Sequence, residues 1–162
     1  MSVILIGFMG AGKSTVARIL SKDFIDLDKM IEQQIEMPIP VFFDLFGEED
    51  FRQIEREVFE AAIHMDFVIA TGGGIVENLG NLEVLKFQPQ VVYLTASFET
   101  LWQRILADEK NIRPLAQDKT TAWALYEHRK AQYEAVSDLT IDVTDQSPET
   151  VAQLIREKWN IN

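Results

Sequence analysis

"VILIGFMGAGKST" (residues 3–15) decides the fold. Four apolar residues read as a buried strand, and three glycines, a lysine and two hydroxyls follow at once. Gly7, Gly12, Lys13 and Ser14 match G-x-x-x-x-G-K-[ST], in which glycines let the backbone turn sharply so that its N–H groups form an anion nest. A helix predicted to start at Lys13 and run to about Lys22 aims its positive dipole end at the same point. Lys13 can reach β- and γ-phosphates, and Ser14 can offer a hydroxyl to Mg²⁺. A chance glycine turn is the alternative, but the strand-to-helix context is the one this motif needs.

Outward from the loop, apolar or β-branched runs recur at 2–7, 24–26, 67–71, 91–95 and 139–142. Most are apolar throughout without clean alternation, the pattern of parallel strands covered on both faces. Helical patterns lie between them, at about 28–36, 48–64, 79–86, 97–107, 120–136 and 148–159. Alternating strands and helices predict a three-layer α/β/α sandwich with right-handed crossovers. The 162 residues fit a single domain, 1–162, with a helical region at about 28–64 and a polar lid at about 107–119.

A net charge of −11 disfavours nucleic acid and anionic membranes. Anionic ligands must then be held by a local cluster of cations and N–H groups. Cysteine is absent, which excludes disulfides and thiolate metal sites and suits a reducing cytoplasm. No apolar run is long enough to span a bilayer, and no signal peptide is expected ahead of the first strand. The expectation is a cytoplasmic monomer that takes small molecules.

Four further clusters carry candidate chemistry. In "FIDLD" (24–28), Asp26 and Asp28 leave a strand at alternate positions, which would turn both toward the phosphate site. Phosphoryl transfer needs one acid near the metal and one to orient or deprotonate the acceptor hydroxyl. Helix capping by Asp28 is the alternative. In "FGEEDFRQIERE" (46–57), Glu48 and Glu55 flank Arg52 at helical spacing and would hold it in place; a solvated flank is the bland reading. "TGGGI" (71–75) puts Gly72, Gly73 and Gly74 at a strand's end, where backbone can approach a ligand, or an ordinary loop can form. Ala122, Tyr126, Arg129, Tyr133 and Val136 line one helix face, so Arg129 sits in an apolar stripe and needs an anion, either an internal carboxylate or a ligand's. Arg113, before Pro114, is placed to swing over phosphates with the lid.

The order and content of "GFMGAGKST", "FIDLD", "FGEEDFRQIE", "ATGGGIV", "RPL" and "HRKAQYEAVSDLTIDVT" resemble shikimate kinase, a small P-loop kinase of the nucleoside-monophosphate-kinase type, over nearly the whole chain. The resemblance implies a five-stranded parallel sheet in the order 2-3-1-4-5. It implies ATP-dependent phosphorylation of shikimate at the 3-hydroxyl, giving shikimate 3-phosphate and ADP on the way to aromatic amino acids. Gly10, Ala11, Gly12, Lys13, Ser14, Thr15 and Arg113 would bind ATP. Mg²⁺ would rest on Ser14, with Asp26 in its outer shell. Asp28 would hold the 3-hydroxyl and act as base, beside Lys13 and Arg113 as catalytic groups. Arg52 and Arg129 would clamp the shikimate carboxylate, with Glu55 fixing Arg52 and Gly72, Gly73 and Gly74 lining the ring pocket.

The chain departs from this pattern in three places. The interval from Lys13 to Asp26 is short by about one helical turn. The lid has no second arginine for stacking on adenine, and Arg104, further back, is not assigned that role. Thr71 stands where some P-loop enzymes carry an aspartate. Another small-molecule kinase, for gluconate or a nucleotide, and a silent nucleotide-binding module are the alternatives. Convergence of Arg52 and Arg129 on one carboxylate separates the first from shikimate chemistry, and Asp28 argues against the second.

Overall fold

The apolar runs become a five-stranded, all-parallel sheet in the order β2-β3-β1-β4-β5. The structure is a computed structural model that describes residues 2–108 and 113–162. The strands are β1 (Ile4–Ile6), β2 (Ile25–Asp26), β3 (Ile69–Ala70), β4 (Val91–Thr95) and β5 (Leu139–Asp142). In the ladder, β1 pairs with β3 and β4, Ile4 lying opposite Ile69 on one side and Val91 on the other. β1, β3 and the first four residues of β4 are buried, as strands covered on both faces must be. β1 ends at Ile6 because Gly7 has φ 149, and a Cβ there would lie 2.4 Å from the Leu94 carbonyl oxygen.

The helices are α1 (Lys13–Leu20), α2 (Leu27–Ile35), α3 (Ile39–Ile63), α4 (Leu79–Lys86), α5 (Phe98–Ala107), α6 (Lys119–Val136) and α7 (Pro148–Trp159). α1 packs on α7, while α4 packs against α3 and α6, so the sheet lies between two helical layers. The short interval after the loop is met inside α1, which has 8 residues and stops at Leu20 rather than Lys22. The helix expected over 48–64 is the second half of α3. The first half, 39–46, lies outside the helices the sequence predicts. Pro40 sits in the helix's first positions, where its missing N–H costs nothing. Gly47, at φ 86 and ψ 174, kinks the two halves.

The predicted lid falls partly outside the described residues, at 109–112. Of the rest, 107 closes α5 and 119 opens α6.

Candidate active site

Beyond the carboxyl ends of β1, β2 and β3 lies a cavity of about 820 Å³. That is the place where an open parallel sheet takes its ligands.

Its first wall is the phosphate loop. Gly10 and Gly12 hold φ 82 and φ 88, values that other residues reach only with strain, and Gly12 is the residue from which α1 starts. α1 has no side-chain cap and no acid in its first turn, so its N-terminal N–H groups are left for an anion. Lys13 folds back over the loop, donating from Nζ to the carbonyls of Gly7 (2.5 Å) and Phe8 (3.1 Å). Burial lowers its pKa to about 7; Arg113 and Arg129 add to this, and Asp28 and Asp26 oppose it. Gly10, Gly12, Ser14 and Thr15 are on the wall with Lys13. Ala11 is not: its methyl is buried, and its amide donates to the Phe8 carbonyl inside the loop.

The acidic pair comes next. Ser14 Oγ donates to Asp26 Oδ2 at 3.1 Å, and Asp26 Oδ1 accepts from Lys29 N to cap α2. Capping is therefore the work of Asp26, not Asp28. Asp28 is not a strand residue either, since β2 ends at Asp26, and it reaches the cavity from the first turn of α2. Burial raises its pKa; Asp26 and Glu32 add to that, and Lys13 and Arg52 pull it down. Thr71 contributes no free donor, because its hydroxyl donates to the Leu5 carbonyl at 2.8 Å.

The glycine run is packed by guanidinium groups and also lies against the loop, a Cβ on Gly73 falling 3.5 Å from Met9 N. "TGGGI" is not a plain loop: a 3-10 helix runs over Gly73–Glu77. A Cβ on Gly74 would fall 2.3 Å from Arg52 Nη2, and one on Gly73 would fall 3.3 Å from Arg129 Nη1. A Cβ on Gly72 would meet Asp28 Oδ1 at 2.7 Å and Glu55 Oε2 at 3.4 Å. Absence of side chains here lets two arginines and two carboxylates close on one backbone turn.

Arg52 is held as its helical spacing predicts, by Glu55 at 2.9 Å and Glu48 at 3.5 Å. Burial pushes the Glu55 carboxyl up to about 7, against the pull of Arg52. Arg129 comes from the far side, on α6, where the five residues of the predicted stripe are the buried ones. Tyr133, one turn on, donates its hydroxyl to the Gly73 carbonyl. Arg113 also lines the cavity and pairs with Asp108 at 3.1 Å.

Arg104, given no role from the sequence, and Glu77, not singled out there, both hold groups of the site. Arg104 on α5 lines the cavity, its guanidinium donating to the carbonyls of Gly10 and Val143. A cation in a helix's last turn reads as a favourable dipole contact, so nothing local marked it. Glu77 accepts from Arg129 at 2.7 Å. It lies 52 residues away in the chain, and no spacing rule links them.

Apart from Ala11, the sequence-derived site residues share one cavity. Its phosphate-loop wall offers loop amides, a lysine and the oxygen pair of Ser14 and Asp26, donors of the kind a hard divalent cation takes. Arg52, Arg129 and Asp28 meet at the glycine turn in the same cavity.

The family model for shikimate kinase matches residues 9–160. A shikimate kinase from Lactococcus lactis subsp. cremoris (strain SK11) is 65% identical over 99% of both chains. One from Streptococcus thermophilus is 42% identical, over 96% of this chain and 99% of that one. The solved structure of shikimate kinase from Acinetobacter baumannii in complex with shikimate superposes with a TM-score of 0.88 at 34% identity. It covers 97% of this chain and 91% of the other.

Proposed function

The chain belongs to the shikimate kinase family, and we propose that it moves the γ-phosphoryl group of ATP to the 3-hydroxyl of shikimate, with the cavity residues in the following roles. The observation that carries these roles is a single cavity that gathers the phosphate nest, the paired guanidinium groups on the glycine turn and Asp28.

Shikimate is a monocarboxylate. Its carboxylate lies between Arg52 and Arg129, which fixes the ring over Gly72, Gly73 and Gly74. That leaves the 3-hydroxyl at Asp28. A raised pKa makes the ionised Asp28 carboxylate a stronger base, able to take the hydroxyl proton as the oxygen attacks. The bond from that oxygen to the γ-phosphorus forms as the bond to the bridging oxygen of ADP breaks. Little covalent work falls to the protein, which positions the reactants and neutralises charge.

Lys13 leaves the loop carbonyls for the phosphates, and entry of that anionic ligand restores its full positive charge. Arg113 exchanges Asp108 for the same phosphates. Ser14 and Asp26 would hold Mg²⁺, their hydroxyl and carboxylate oxygens fitting its preference. When bound, Mg²⁺ supplies charge neutralisation on the phosphates.

The enzyme is further proposed to act as a cytoplasmic monomer on small anions, its surface charge of −11 repelling nucleic acid. Among the described residues, no helix is long and apolar enough to cross a membrane.

ADP release should be followed with shikimate, gluconate and nucleosides as acceptors. Turnover with shikimate alone is expected. Turnover with gluconate or a nucleoside, and none with shikimate, overturns the assignment.

A further inference from the structure

Arg129 is 2% exposed in the middle of an apolar helix face. A guanidinium there must be paired, or its burial destabilises the fold. Its carboxylate partner is Glu77, whose Oε1 accepts from Nε at 2.7 Å. Burial alone would raise the Glu77 carboxyl, but the Arg129 hydrogen bond and charge outweigh it, with His128 and Arg52 adding, and hold it below the usual range. Glu77 therefore meets Arg129 as an anion.

Two features make this contact more than a neutralising pair. First, Glu77 is the last residue of the 3-10 helix that begins at Gly73, and Asn78 caps α4 immediately after it, accepting from Gly80 N at 2.8 Å. The carboxylate is thus tied to the same turn that lines the acceptor end of the cavity. Second, the contact uses Nε. A guanidinium gripped at Nε still presents its Nη1 and Nη2 edge, the edge that takes a carboxylate with two parallel hydrogen bonds. Nη1 already lies against Gly73. Arg52 is held differently, by two glutamates of its own helix, Glu55 pairing with Nη1 at 2.9 Å and Glu48 lying 3.5 Å from Nε.

We propose that Glu77 is a positioning residue for acceptor binding, which fixes the rotamer of Arg129 through Nε and so aims its Nη edge at the substrate carboxylate. This rests on the reading of Arg129 as half of the carboxylate clamp.

Steady-state kinetics of Glu77→Ala, Glu77→Gln, Arg129→Ala and the Glu77→Ala/Arg129→Ala double variant test it, with calorimetric titration of shikimate alongside. Glu77→Ala is expected to raise the shikimate KM and Kd about ten-fold or more, the scale of a lost charge-assisted hydrogen bond, and to leave the ATP KM unmoved. Glu77→Gln keeps an oxygen for Nε and should recover part of that loss. The double variant should bind shikimate no worse than Arg129→Ala, since one residue acts through the other.

An unmoved shikimate KM in Glu77→Ala, or losses in the double variant that multiply, overturns the role of Glu77 and leaves the clamp standing. Equal rises in both KM values also overturn it, marking Glu77 as structural. Wild-type shikimate affinity in Arg129→Ala sinks the clamp itself. Should Glu77→Ala fail to fold, Glu77→Gln decides: a raised shikimate KM with the ATP KM unmoved supports the role, and both unmoved refutes it.

Discussion

Replacing Gly74 with alanine should separate binding from folding in this protein. A Cβ at this position would lie 2.3 Å from Nη2, 2.4 Å from Nη1 and 2.5 Å from Cζ of Arg52. Ordinary contact begins at 3.4 Å, so the guanidinium must retreat by about 1 Å. The obstacle is the far end of a flexible side chain rather than backbone, and Gly74 does not have positive φ. The fold should therefore survive, with a melting temperature lowered only by the loss of the Arg52–Glu55 pair. What moves is the acceptor clamp. The 2.9 Å bond from Arg52 Nη1 to the buried Glu55 is lost, and the guanidinium leaves the position it shares with Arg129 on the glycine turn. A misplacement of about 1 Å at a positioning group can cost roughly 100-fold, and a lost charge-assisted hydrogen bond about ten-fold or more, so the shikimate KM should rise about 10- to 100-fold. The assay is coupled ADP release with shikimate varied at saturating ATP, then the reverse, beside thermal melts of both proteins. The ATP KM should move far less than the shikimate KM, because the group that a Cβ on Gly74 displaces is the Arg52 guanidinium and not the phosphate loop. A folded Gly74→Ala protein with wild-type shikimate KM would refute the reasoning, since Arg52 would then have moved without consequence.

Asp28→Asn keeps the shape of the side chain but cannot take a proton. Its kcat should fall about 100-fold or more while calorimetry still finds shikimate bound, and an unchanged kcat excludes the base role. Glu55 has its carboxyl raised by burial from 4.5 to about 7, so between those values the folded chain holds a proton that the unfolded chain has released. Its contribution to stability is therefore full at low pH and is lost as pH rises through 7, by about 3 kcal/mol over the whole window. Urea unfolding between about pH 4.5 and 7.5 should show a flatter decline in Glu55→Gln than in the parent, and parallel declines contradict the assignment. Gly7→Ala should act in the opposite sense to Gly74→Ala. Its Cβ would press a backbone oxygen, Leu94 O, at 2.4 Å with φ 149, so stability should fall by about 1–3 kcal/mol, and an unaltered melt would contradict this.

Local patterns determined much of this protein. Strands appear within all five predicted runs; β1, β3 and most of β4 are apolar throughout because they are buried on both faces, while the edge strands β2 and β5 are partly exposed. The phosphate loop was legible because its chemistry is contiguous: three glycines, Lys13 and Ser14 act through neighbouring backbone. Arg52 with its two glutamates was legible because helical spacing puts them on one flank, and the stripe around Arg129 for the same reason. The misses share a physical cause. Asp28 was assigned to a strand face, yet it reaches the cavity because β2 stops at Asp26 and a helix begins. Arg104 and Glu77 carry no local mark, since their partners are a loop carbonyl and a side chain far along the chain. Side-chain type and spacing set what each segment could offer. Which offers meet was decided by the parallel sheet, whose order β2-β3-β1-β4-β5 brings the ends of β1, β2 and β3 to one edge. The three bare glycines at β3 then let Arg52 and Arg129, 77 residues apart in numbering, rest on the same turn.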